Sequence, residues 1–307
     1  MSYRDEQHVS PAAIVVTKKW AKQHGVRVTA SRKVVQRKLL FTVFAIGILV
    51  VALFPLIWMF FSSFKPNPEM YSRPPRFLPE VWTLFHYQEL FWFTSFLQYF
   101  WNTLATAATA SVVGVVVSLC GVYSVTRFQF IGAKFFTFLM LFIYMLPPIL
   151  LAIPFFQIWF SLGMLDSLIA LMLTYLTITL PFAVWILRPY IDSIPREMED
   201  AGRVDGCSQF QAFVKIIIPQ TLPGISAALI FTFVVVWNEY LYAQILIRSE
   251  MLRTVSLGIA SLILETSVYS WGLVNAAGVV ATIPVLVLFV FIQKGMVAGL
   301  SAGAVKG

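Results

Sequence analysis

The sequence predicts an all-α integral membrane fold with six transmembrane helices. Three observations carry that reading. The chain is 59% hydrophobic and only 12% charged, with a mean hydropathy of +0.81. A soluble domain carries about 25% charge, and a soluble fold this apolar would expose large greasy patches. Six apolar runs each approach the ~20 residues that a helical span needs. The basic residues alternate with those runs as a topology signal does.

The elements follow in order. Residues 1–38 are polar and basic, ending in "SRKVVQRK", and read as a mostly disordered cytoplasmic tail. A secretory signal is the competing reading, but the next run, 39–61, is too long for one and lacks a small-residue cleavage site, so it reads better as a span. That run is the first span, and 39–307 is one six-span domain. The others are 100–122, 135–158, 168–187, 225–247 and 272–292. Prolines inside them predict kinks or broken helices, above all in "MLPPILLAIP". The external segment 62–98 opens Pro-rich and then packs Trp, Tyr and Phe. It predicts a helix lying in the outer interface. In the second span Ala107 and Ser111, Ala110 and Gly114, and Gly114 and Ser118 stand four apart, so a neighbouring helix can approach closely.

Of the 22 Lys and Arg, 17 fall on one side, in the tail, the 122–134 loop, the 188–223 loop and the C-terminal tail 293–307. Both termini are therefore expected in the cytoplasm of a multi-pass protein of the lipid bilayer. The net charge of +8 is then topological and calls for no nucleic acid. Cys120 and Cys207 suggest no disulfide framework, and His8, His24 and His86 no metal site. An enzyme would need a clustered nucleophile and base or a metal set, and none is present in the sequence. An ion-driven transporter usually has several buried carboxylates. Here Glu239 is the only one well inside a predicted span. No internal repeat is visible.

The loop 188–223 is the informative one. Glu197, Glu199 and Asp200 suit a helix N-terminus after Pro195. Ala201 and Gly202 offer almost no bulk, and Gly206 can take the positive φ that ends the helix. Ser208 and Gln211 have capping-box spacing. Phe210, Phe213, Val214 and Ile217 predict one apolar face, and Pro219 and Pro223 are expected to stop the second helix before the next span. The result is a helix–turn–helix with one face on the bundle and a smooth surface flanked by acids. It would serve either as a plug for another protein's socket or as a connector that caps the bundle.

This loop resembles the coupling-loop signature of ABC importer permeases: Glu-Ala-Ala, three residues, Gly, nine residues, Ile-x-Leu-Pro. Asp200-Ala201-Gly202, Gly206 and Ile216-Ile217-Ile218-Pro219 keep its spacing throughout, with Asp, Gly and Ile as departures at 200, 202 and 218. Gly202 costs that helix about 1 kcal/mol against Ala. "FKPNPEMY" and "WNEYLYAQIL" are similar to segments of carbohydrate-type permeases, and "GMVAGLSAGAVKG" to the tail of the maltose-system type. The resemblance covers residues 40–307.

The resemblance implies the type I ABC permease fold and a subunit of a binding-protein-dependent importer for a sugar, a polyol or a glycoside. A permease for a non-sugar solute is the alternative, and an ion-driven transporter a more distant one. It implies a transport subunit rather than an enzyme, with ATP and Mg held by partner ATPases and no cofactor on this chain. The implied partners are a second permease subunit, as a heterodimer, two ATPase subunits and an extracytoplasmic sugar-binding protein. The implied place is a prokaryotic inner membrane. Carried onto this chain, ATPase docking falls on Glu199, Asp200, Ala201, Gly202, Asp205, Gly206, Ile216 and Pro219. Tail contacts with the ATPases fall on Ala304, Val305 and Lys306, against a merely frayed end. The external loop 248–270 is expected to meet the binding protein. Candidate pathway residues are Trp237, Asn238, Glu239, Tyr242 and Asn275, with Gln157 and Asn102 weaker. For Glu239 a structural pairing is the competing role.

Overall fold

The computed structural model describes the backbone of residues 32–128, 130–265 and 270–304, and side chains over slightly shorter ranges. The 1–31 part of the tail, Val305 and Lys306 lie outside the described residues. By Cα packing the chain divides after Ile57. The described part of the first unit is the leading stretch of helix α1 (Arg32–Ser62), apolar from Leu39 onward and carrying Pro55.

The second unit is a helical bundle. Short helices α2 (Asn67–Met70) and α3 (Phe85–Trp92) precede α4 (Phe96–Arg127). Then come α5 (Ala133–Met145), α6 (Pro148–Ser161), α7 (Leu168–Asp192), α8 (Arg196–Val204) and α9 (Gln209–Ala212). A π turn, Phe213–Ile217, leads into α10 (Ile218–Trp237), followed by α11 (Leu241–Leu246), α12 (Val255–Glu265) and α13 (Trp271–Ala304). Among the described residues five helices are long and apolar enough to cross a membrane. The pair α5 and α6, bent by 100°, makes the sixth crossing when counted as one broken span. Leu146 and Pro147 are extended at that break, as residues before proline tend to be.

The small-residue stripe does what its spacing predicts. α4 and α7 pack along their length. A Cβ built on Gly114 would overlap the Thr179 side chain. Ser118 donates to the Leu180 carbonyl at 3.0 Å and Thr179 to the Ala110 carbonyl at 3.4 Å. α4 has 32 residues, so at about 1.5 Å per residue it is some 48 Å long. That exceeds the ~30 Å hydrocarbon core, so the helix is longer than a perpendicular crossing needs.

The aromatic segment before the second span forms a helix as expected, the eight-residue α3, broken from α4 at Phe93–Ser95. Two expectations need correction. Pro219 and Pro223 do not end the second loop helix. The helix runs unbroken from Gln209 to Trp237 because the wide π turn admits Pro219 into the first turn of α10, where its missing N–H is not needed. The apolar face also splits. Phe213 and Ile217 are buried, whereas Phe210 is 73% exposed and Val214 half as much. A four-residue helix cannot hold a 3.6-residue phase across a π turn.

Candidate functional site

The loop 188–223 is tied to the end of α4. Glu199, on α8, faces inward, where its carboxylate pairs with Arg127 and accepts the Tyr123 hydroxyl at 3.0 Å. The Arg127 and Glu199 side chains are 8% and 11% exposed. Arg127 also donates to the Ile194 carbonyl at 2.8 Å and the Ile191 carbonyl at 3.3 Å, satisfying the end of α7. Arg196 donates to the Thr126 carbonyl at 2.8 Å. Below these polar ties Tyr123, Leu187, Ile191, Ile194, Phe213 and Ile217 share one apolar cluster. α8 and α9 are thus tied to α4 and α7 by both charge and packing.

The turn between them is closed as its residues require. Asp205 ends α8, Gly206 takes φ +88°, and the Cys207 N–H returns to the Gly202 carbonyl at 2.9 Å. Ser208 and Gln211 form both halves of a capping box, at 3.3 and 2.9 Å. Gly202 is buried under Ile216, whose Cδ1 would lie 2.5 Å from an added Cβ. The Ile216 side chain thus occupies the space that a methyl group at 202 would need.

What remains outward is Asp200, Ala201, Val204, Asp205 and Gly206, with Phe210 beside them. Val204 is 89% exposed. Ile216 is half-buried and Pro219 exposed. Of the docking residues read from the sequence, Glu199 and Gly202 face the bundle instead. Arg127 and Tyr123, which hold Glu199, were missed. Their only sequence signal was a lone cation at the end of a span.

At the opposite end, the Asn238–Tyr240 break separates α10 from α11. Glu239 sits in that break and caps α11. Its carboxylate accepts the Tyr242 and Ala243 N–H groups at 2.9 and 3.3 Å. It is not placed mid-helix as the apolar run suggested. Trp237 is buried, donates to the Ala281 carbonyl at 3.1 Å and stacks on Phe233. Tyr242 is buried and reaches the Pro148 carbonyl at the third-span break, 3.2 Å away. Asn238 is exposed and donates back to Val234, Asn275 is half-buried, and Gln157 is exposed. The Trp237–Tyr242 group thus joins two helix breaks.

Asn102 belongs to another cluster. It donates to the Met251 and Arg253 carbonyls at 2.8 and 3.0 Å. Tyr99 donates to Glu250 at 3.1 Å. Asp166, at φ +57°, accepts the Arg248 and Ser249 N–H groups at 2.9 and 2.8 Å and the Ser249 hydroxyl. The segment 247–254 is therefore pinned from two sides. The lysine and glutamate of "FKPNPEMY" act similarly: Lys65 donates to the Arg76 carbonyl at 2.5 Å, and Glu69 accepts the Glu80 N–H at 2.9 Å.

The family described as "Binding-protein-dependent transport system inner membrane component" matches residues 117–301. The chain belongs to that family. This permease is 37% identical to the inner membrane ABC transporter permease protein YcjP of Escherichia coli, over 84% of its own length and 93% of the relative's. It is 31% identical to the trehalose/maltose transport system permease protein MalG of Thermococcus litoralis, over 90% and 99%. Its fold matches a chain in the crystal structure of a bacterial ABC transporter involved in the import of the acidic polysaccharide alginate. The TM-score is 0.74 at 22% identity, covering 87% of this permease and 99% of that chain. The permease is thus a multi-pass, all-α ABC importer component of the type I permease fold.

Proposed function

We propose that this permease is one of two membrane subunits of an ATP-driven importer for a sugar or a related polyol or glycoside. Two ATPase subunits dock on the end that carries α8, and an extracytoplasmic binding protein delivers the solute at the other. The chain has no ATP site of its own; ATP and Mg belong to the ATPases. Both termini lie in the cytoplasm of a prokaryotic cell, as the basic residues suggest.

The observation that carries the coupling role is the outward surface Asp200–Gly206 on a base fixed by the buried Arg127–Glu199 pair. A docking element must be exposed at its tip and stiff at its root, so that a displacement of the tip moves α4 and α7 together. ATP-driven closure of the ATPases would then bias the permeases between inward-open and outward-open states. The sugar class is supported by the trehalose/maltose relative. Glu239 has its carboxylate engaged by two backbone N–H groups, which gives an ion relay no support.

The test is purification of the tagged chain from membranes that co-express its neighbouring genes. Two permeases with two ATPases, hydrolysing ATP faster with sugar-loaded binding protein, is the expected result. A chain that purifies without an ATPase would overturn the proposal. A sugar panel in the same assay identifies the solute.

A further inference from the structure

A cavity of about 970 Å³ opens between the α4–α5 turn and the end of α7, at the same end of the bundle as α8. Three cations line it: Lys134, Arg188 and Arg196. No carboxylate is among its described lining residues. The rest of the wall is largely apolar, with Phe130, Phe135 and Phe138 prominent. Among the described residues neither Lys134 nor Arg196 forms an ion pair. Arg188 approaches Asp192 at 3.4 Å, in a pair that is about half exposed.

A second cavity, about 450 Å³, adjoins the first and shares Thr137, Leu141 and Arg188 with it. It continues between α5 and α7 past Met140, Tyr144 and Trp185. Its one described carboxylate is Asp192, already facing Arg188. The two cavities therefore make a cationic basin continuous with an apolar groove, at the α8 end of α5 and α7.

We propose that this pair of cavities binds an anionic phospholipid, its phosphate in the basin and an acyl chain in the groove. Basic pockets between spans attract anionic headgroups. Arginine can present two N–H donors to a phosphate at once. Arg196 is pre-oriented for this, since one of its nitrogens is held by the Thr126 carbonyl. An apolar helix of a partner subunit would cover the groove but leave Lys134 and Arg196 without an ion pair. The bound lipid would touch Arg196, the first residue of α8, and so reach the base of the coupling loop.

The test uses the full chain with its co-purifying subunits, exchanged into equimolar phosphatidylglycerol and phosphatidylcholine. Native mass spectrometry then counts the retained lipids. The proposal expects phosphatidylglycerol to be retained preferentially. Lys134 makes no hydrogen bond or ion pair with a described residue, so Lys134→Gln removes charge and little else. It should reduce the preference about fivefold, and adding Arg196→Gln should reduce it by about as much again. Lys134→Arg should retain it. Equal retention of both lipids by the unaltered protein would overturn the proposal, as would an unchanged preference in the double variant. Displacement of the lipid by millimolar inorganic phosphate would make this a site for a soluble anion. Cross-linking of Phe138→Cys to a partner subunit in high yield would make it a protein interface.

Discussion

Single charges hold this structure at both ends. Arg127→Ala would leave the Glu199 carboxylate buried without its cation, and breaking such a pair costs about 3–5 kcal/mol. The variant should melt well below the unaltered protein. Glu199→Gln, which can still accept from Tyr123, should lose less, because Arg127 keeps its bonds to the Ile191 and Ile194 carbonyls. Thermal unfolding in detergent measures both. If Arg127→Ala melts normally, the pair does not anchor the loop.

Asp166 holds the outer segment. Burial alone would raise its carboxyl. Hydrogen bonds from the Ser249 side chain and from the Ser249 and Arg248 N–H groups, with the Arg248 charge, outweigh burial and hold the carboxyl below its usual range. A lowered folded value means that the stabilisation is complete above the unfolded value of about 3.9. It is lost as pH falls through the folded value. Amide exchange across 247–254 should therefore be equally protected from pH 8 down to 5 and deprotected below about 4. Asp166→Asn should show weakened protection at neutral pH and no such acid step, and an unaltered profile in that variant would refute the assignment.

Among the elements, the turn after α8 depends most on one residue. Gly206 has φ +88°, with open space around its Cβ position. The cost of Gly206→Ala is then conformational, about 1–2 kcal/mol, and Gly206→Asn should recover part of it. Melting temperatures of the two variants test this; equal values for Ala and Gly would contradict it. The positive φ was legible from the position of the glycine after an amphipathic run, and the capping box from its spacing. The double proline similarly announced the break in the third span. The continuous helix through Pro219 was not legible, because nothing in hydropathy or propensity marks a π turn. Nor was the end of α10 at Trp237. The apolar run continues to Ile247, and only the folded chain shows Glu239 closing off a new helix start.

At the scale of the whole molecule, hydropathy and charge alternation were enough to read a six-span bundle, since the bilayer fixes span length and the apolar surface. The relation between distant parts was out of reach. Arg127 and Glu199, or Asp166 and Ser249, lie far apart in sequence, and only the packing of α4 on α7 brings such residues together. α4 thus carries Arg127, which holds α8, at one end, and Tyr99 and Asn102, which hold the segment 247–254, near the other.

On the proposed function, the surface around Val204 is seated in a partner ATPase. The most direct measurement is disulfide cross-linking from Val204→Cys in a Cys207→Ser background, against single cysteines placed along the cleft of the co-purified ATPase. We predict a high-yield cross-link whose preferred ATPase position changes when ATP is bound without hydrolysis. If Val204→Cys instead reacts freely with a water-soluble maleimide in the intact complex and cross-links to no ATPase position in either state, the coupling account is wrong.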